Sequence, residues 1–195
     1  MELKNLIEPH LDLPRLSKDL DELGHPGRVW AVHSWGKHIQ SLLFEATKGF
    51  RKTTLEDFVP SSTPRLEQVI HDGRNTLPLH NNFQKRFCLP TDDAQKDVLW
   101  GYNHQSLSGV TGPGYFVTHP GEADGEVDID YTMLPKEKPE GWPDIIPNSA
   151  RLGRFVYYGM IDVMHGISSH VSIGRAKKKG KFMDAWFVLV REDLS

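Results

Sequence analysis

The sequence predicts an α+β fold: two N-terminal helices, then a mostly antiparallel sheet of about eight strands that closes or half-closes into a barrel. Three observations predict it. Apolar residues recur at helical spacing through the first fifty positions. Beyond residue 64 the period falls to two, as in strands with one face buried. Turn residues then punctuate the chain at short intervals.

Leu13, Leu16, Leu20 and Leu23 define the first helix, over 13–23, with Gly24 as its C-cap. Gly24-His25-Pro26-Gly27 reads as a break. The second helix is expected from Arg28 to Lys48, stopping at Gly49. Its apolar stripe is Val32, Trp35, Ile39, Leu42, Leu43 and Ala46, widened by Trp30 and Phe44. Gly36 lowers its helix propensity by roughly 1 kcal/mol relative to alanine. Residues 54–58 could add a turn of helix, and the Pro- and Ser-rich stretch 59–64 is a loop.

Strands are expected at 66–71, 84–89, 97–104, 114–119, 126–133, 154–163, 168–175 and 182–191. Between them lie Asp72-Gly73, Pro90-Thr91-Asp92-Asp93, Gly112-Pro113-Gly114, Asp124-Gly125 and Lys177-Lys178-Lys179-Gly180. The Pro-rich segment 134–147 can be neither a central strand nor a helix. It reads as a surface connection with Trp142 folded back onto the body, serving either as a lid or as a plain crossover. Sequential strands with short connections favour barrel closure, which removes exposed edges. An open sheet bent around the long helix has the same periodicity. The whole of 1–195 is expected to be one domain, with a helical segment over 1–50 and a β body over 65–195.

Composition narrows the function classes. A chain of 195 residues buries roughly 70% of its unfolded surface and needs no disulfide or metal to fold. With 23 Lys and Arg against 26 Asp and Glu, the net charge of −3 gives no field for nucleic acid or an anionic membrane. Cys88 has no internal disulfide partner. The first residues lack a secretory signal, and the longest apolar run, near Ala185–Val190, is far short of the roughly 20 residues of a membrane helix. A cytoplasmic protein without a cofactor is the expectation, with its oligomeric state left open.

Several candidate residues carry polar tips on aromatic bodies. In the strand 97–104, Val98, Trp100, Tyr102 and His104 share one face, while Leu99, Gly101 and Asn103 share the other. The aromatic face is expected to point inward. Tyr115, Val117 and His119 share a face, as do Val127, Ile129 and Tyr131, and Tyr157 and Tyr158 fall on opposite faces of a later strand. Trp100, Tyr102, His104, Tyr115, Tyr131 and Tyr157 would then wall a cavity, because aromatics with a few polar tips are the usual lining of a small-ligand pocket. The competing expectation is that each tip is satisfied by backbone or reaches the sheet rim.

The acids Glu122, Asp124, Glu126, Asp128 and Asp130 alternate, which suggests a water-facing row behind an apolar face. Their spacing does not fit an EF-hand. His104 and Asp128 are the candidate general bases if the domain is an enzyme. No zinc spacing or G-x-S-x-G elbow occurs, so no metal is expected. His33 and His38 sit on different sides of a helix, whereas His165 and His170 could meet across Gly166. Ser168, Ser169, His170 and Asp184 could converge at the last hairpin. Cys88 reads as a buried, inert thiol. The glycine-rich 108–114 leads into a strand rather than a helix, which weakens a phosphate-cradle reading. Arg175, Lys177, Lys178, Lys179 and Lys181 form a basic hairpin tip, read mainly as a solvated turn.

The order of elements resembles lipocalin-like barrels, in architecture alone. The reading that follows is a protein binding a small apolar or amphipathic ligand, lipid-like or aromatic, in a barrel cavity. The alternatives are an isomerase, lyase or cyclase working by proton transfer in that cavity, or an interaction module without a pocket.

Overall fold

The computed structural model describes residues 3–7, 10–77, 81–92, 95–104, 112–150 and 157–194. Helices α1 (Leu13–Glu22), α2 (His25–His33) and α3 (Lys37–Ala46) precede eight antiparallel strands. These are β1 (Val69–Asn75), β2 (Asn82–Cys88), β3 (Leu99–His104), β4 (Tyr115–Pro120), β5 (Val127–Asp130), β6 (Met160–Gly166), β7 (Val171–Lys178) and β8 (Lys181–Arg191). Each strand pairs with the next, and β8 returns to β1, so the sheet is a closed barrel. The eleven residues of β8 serve both neighbours, with Lys181–Val190 along β7 and Phe187–Arg191 along β1. Lys179 and Gly180 take the two positive-φ positions of the β7–β8 turn.

The second helix is split. Ser34 closes α2 through bonds from its backbone N and its Oγ to Ala31 O, and Gly36 caps α3 in extended conformation. Trp35 lies fully buried in the gap, and the Gln40 side-chain amide holds it: Gln40 Nε2 donates to Trp35 O at 2.9 Å. The 24–27 break is instead the cap and first turn of α2, where Pro26 needs no N–H partner. Asp72 and Gly73 belong to β1 and not to a turn. Tyr157 and Tyr158 lie in the turn before β6, with Tyr157 buried and Tyr158 exposed. The earlier part of that expected strand, 154–156, is outside the described residues.

Both faces of the sheet are covered over much of the ring. The helices pack their apolar stripes on the outer side of β6, β7 and β8, against Val163, Val171, Ile173, Trp186, Val188 and Val190. The Pro-rich segment covers Trp100, Tyr102, Tyr115 and Val117 on the outer side of β3 and β4. Trp142 anchors it by donating Nε1 to Gln68 Oε1 at 3.0 Å, and Pro143 O accepts from Tyr115 Oη.

Inside, bulky rings fit because glycine faces them across the ladder. Gly101 opposes Phe116 and Gly174 opposes Phe187, and a Cβ on either glycine would fall within 2.5 Å of the opposing ring. One end of the barrel is plugged by Phe58, fully buried just after the 3-10 turn Leu55–Asp57. Its ring meets Phe87 and the stacked His71, and His71 Nε2 donates to Phe58 O at 2.9 Å. Among the described residues no helix is long and apolar enough to cross a membrane.

Removing the plug opens a large cavity in a filled half-barrel. Phe58→Ala is expected to lower stability by about 3–5 kcal/mol in urea denaturation. A change of about 0.5 kcal/mol, as at a surface site, would show that the barrel end does not depend on Phe58.

Candidate ligand site inside the barrel

The end opposite the plug is open. A hollow of about 320 Å³ enters there, walled by Leu77, Phe83, Tyr131, Tyr157, Met160, Ala176, Met183, Ala185 and Phe187. That volume lies at the lower end of the roughly 300–1,000 Å³ range of ligand pockets. Its lining also carries Lys85, Asn103 and Asp162. Small Ala176 and Ala185 leave the space, while Tyr131 and Tyr157 stack with ring centroids 5.3 Å apart.

Lys85 comes from β2, Asn103 from β3 and Asp162 from β6, and Tyr131 directly follows β5. Each lies on the inward side of its strand, flanked at two-residue spacing by apolar or ring residues such as Phe83, Phe87, Ile129, Met160 and Met164. Lys85 is only 2% exposed. Its Nζ donates to Asn103 Oδ1 at 2.9 Å, to Asp162 Oδ2 at 3.2 Å and to Tyr131 Oη. Tyr131 Oη in turn donates to Asp162 Oδ2 at 3.3 Å and accepts from Asn103 Nδ2 at 2.9 Å. The rings of Phe187, Tyr131 and Phe116 lie about the ammonium, with centroids 4.9, 5.0 and 5.2 Å away.

Burial governs the protonation of this tetrad. It lowers the Lys85 pKa from the ordinary lysine value, and it raises those of Asp162 and Tyr131. Attraction between Lys85 and Asp162 opposes the shift of both. The amine is thus moved toward its neutral, nucleophilic form, beside a carboxyl and a phenol that hold protons more firmly than usual.

The expected wall residues divide. Tyr131 and Tyr157 line the hollow. Trp100, Tyr102 and Tyr115 point outward into the layer under the Pro-rich segment, and His104 is exposed at the end of β3. The inward face of β3 is Leu99, Gly101 and Asn103, the reverse of the expectation. Its physical reason is that both faces of β3 are buried, so alternation separates the two sets without deciding which is inside. Lys85 and Asp162 escaped the sequence reading. Their signal was a charged residue set between apolar residues at two-residue spacing, in Phe83-Gln84-Lys85-Arg86-Phe87 and Met160-Ile161-Asp162-Val163-Met164.

The other candidates lie outside the barrel. Asp128 and Asp130 face outward, as alternation requires, yet they are buried rather than in bulk water. Asp128 adjoins an outer pocket shared with Phe44, Glu122, Glu126, Val163, Lys177 and Phe182, and His104 is not among its residues. Glu122 pairs with Lys177, Asp124 with Lys52 and Glu126 with His165. His165 and His170 have separate partners: His165 bonds Glu126 and Phe44 O, whereas His170 bonds Ser169. Ser169 donates to Asp21, and Asp184 pairs instead with Lys37. Arg175 stacks on Trp186 at 4.7 Å, so it is not part of a solvated tip. Burial pushes the Cys88 thiol up to about 12, consistent with an inert side chain. Residues 108–111 of the glycine-rich segment are outside the described residues. Among the described residues no group of three or more His, Cys, Asp or Glu side chains is placed to hold a metal ion.

Burial pushes the Asp128 carboxyl up to about 6; Glu126 and Glu122 add to this, and His119 and Lys177 oppose it. The folded chain therefore holds a proton that the unfolded chain has released, and stability falls as pH rises from the ordinary carboxylate value, 3.8, to about 6. Asp128→Asn is expected to remove that fall. The variant should be more stable than the parent by about 1–3 kcal/mol at alkaline pH and nearly equal to it in acid. Equal denaturation midpoints in alkaline buffer would contradict the placement of this carboxyl.

Comparison with protein-family models, with curated proteins and with solved structures finds no match to this chain in any of the three.

Proposed function

We propose that the barrel binds a small ligand with an apolar body and one uncharged polar end, the body among Tyr131, Tyr157, Phe83 and Phe187 and the polar end at Lys85. The observation that carries this reading is the open hollow of about 320 Å³ ending on a buried polar tetrad. The eight-stranded closed barrel is an architecture suited to enclosing one small ligand. A carboxylate head is disfavoured, because Asp162 already supplies the countercharge of Lys85 and a second anion would lack a partner. An alcohol, aldehyde or ketone can exchange hydrogen bonds with Nζ or Oη at no such cost.

The same tetrad would serve an isomerase or lyase acting by proton transfer, with Asp162 and Tyr131 as the proton carriers in place of Asp128 and His104. The observation in its favour is the Tyr131 hydroxyl bridging an amine and a carboxyl within one hollow. Turnover of a bound carbonyl compound, abolished by Asp162→Asn, would separate catalysis from binding.

A thermal-shift series with alcohols, ketones and carboxylates of matched apolar skeleton tests the binding reading. At a hundred times Kd a ligand adds about 2.7 kcal/mol, and each kcal/mol moves Tm by about 2–4 °C in a chain of this size. Uncharged ligands are expected to raise Tm by several degrees, the carboxylates to raise it less, and Ala185→Phe to remove most of the shift by filling the hollow. A Tm unmoved by every apolar ligand near its solubility limit would end the proposal.

A further inference from the structure

Lys85 is set differently from a lysine that only balances a charge. Its ion pair with Asp162 lies on the floor of an open hollow, where a guest can reach it, and both residues line that space. Lysines nearer the surface, such as Lys52 and Lys177, meet an exposed carboxylate instead. At Lys85, Asp162 Oδ2 and Tyr131 Oη both touch Nζ. A nitrogen so placed meets only guests able to enter an apolar hollow. Among the uncharged polar ends considered above, a carbonyl carbon is the one that an amine attacks.

We propose that Lys85 forms an imine with an apolar aldehyde or ketone seated in the barrel, with Asp162 as the counter-ion of the product and Tyr131 as the proton donor to the carbonyl oxygen. The inference rests on the binding reading and names its ligand class.

The step balances without an oxidant or a second substrate. Lys85 first passes a proton to Asp162. The free Nζ lone pair then attacks the carbonyl carbon, a C–N bond forms, and the C=O π pair moves to oxygen. Tyr131 supplies that oxygen with a proton and is reprotonated through Asp162, which also receives the proton leaving nitrogen. Asp162, through Tyr131, returns this proton to the new hydroxyl; the C–O bond then breaks with loss of one water, and the nitrogen lone pair closes the C=N bond, leaving Asp162 a carboxylate. The sum is ammonium plus carbonyl giving iminium plus water. One positive charge is present beside the Asp162 carboxylate before and after, so the barrel interior gains no uncompensated charge. The burial that favours a neutral amine at Lys85 acts in the same direction.

Decanal, with decanol as its non-reacting counterpart, provides the test. The full chain is incubated with decanal and cyanoborohydride, which reduces an imine to a stable secondary amine, and adducts are located by peptide mass mapping. The expected result is an adduct concentrated on Lys85, formed on the order of a hundredfold faster than on exposed lysines. Decanol should block it at Lys85 and leave slow surface labelling unchanged. The double variant Lys85→Met with Asp162→Asn removes both charges together and should lose the adduct; the mapping on the parent chain does not depend on its folding. Labelling spread over exposed lysines, with Lys85 unmodified while decanol still raises Tm, would overturn the imine and leave the binding reading standing. No Tm shift with decanol and no label on Lys85 would overturn both.

Discussion

Pairing of β8 with β1 is the interaction on which the rest of the structure depends. It turns a sheet with two open edges into a ring with none. Glu192 ties the seam, since its backbone N donates to Ile70 O at 2.9 Å and its carboxylate accepts from Ile70 N at 2.6 Å. A ring of eight strands is narrow, so its interior must be packed with care for volume. This is why phenylalanine faces glycine across several ladders and why one ring, Phe58, suffices to stop an end.

Within that narrow interior the polar tetrad is a costly choice. Two charges removed from water are seldom repaid by their attraction alone. Here the remaining hydrogen-bonding capacity is closed by Asn103 and Tyr131, each of which both donates and accepts within the group. An apolar set of the same volume would make a simpler core. That the chain instead carries four cooperating polar residues where the barrel is open, and rings and methyl groups where it is plugged, is the contrast expected when one end is shaped for a guest and the other for stability.

How much of this is legible in the sequence depends on how many faces of an element are buried. In β5 the acids Asp128 and Asp130 mark the outer side, so Val127, Ile129 and Tyr131 are read correctly as inward. In β3 both sides are apolar or aromatic, and the larger rings of Trp100 and Tyr102 draw the eye to the wrong side. The helix expected over 28–48 carries a continuous stripe, but Gly36 and the side chains of Ser34 and Gln40 make a local break less costly than one continuous rod. Asp72-Gly73 looks like a turn by composition, while Phe83 of the next strand and Leu189, far off in the chain, hold it in a strand. Asn103 and Lys85 meet only once β2 and β3 are in register, which no local pattern specifies.

The Pro-rich crossing between β5 and β6 has a mechanical consequence. Asn148, near its end, clamps two neighbouring strands at once, its Nδ2 donating to Tyr115 O at 2.7 Å and to Tyr131 O at 2.8 Å. Tyr131 is the residue whose other end sits on the amine and the carboxyl of the interior. One residue therefore spans the barrel wall, gripped by its backbone outside and by its hydroxyl within. A displacement of the outer strap is thus carried to the floor of the chamber through one side chain, so the exterior clasp and the interior polar group are mechanically joined.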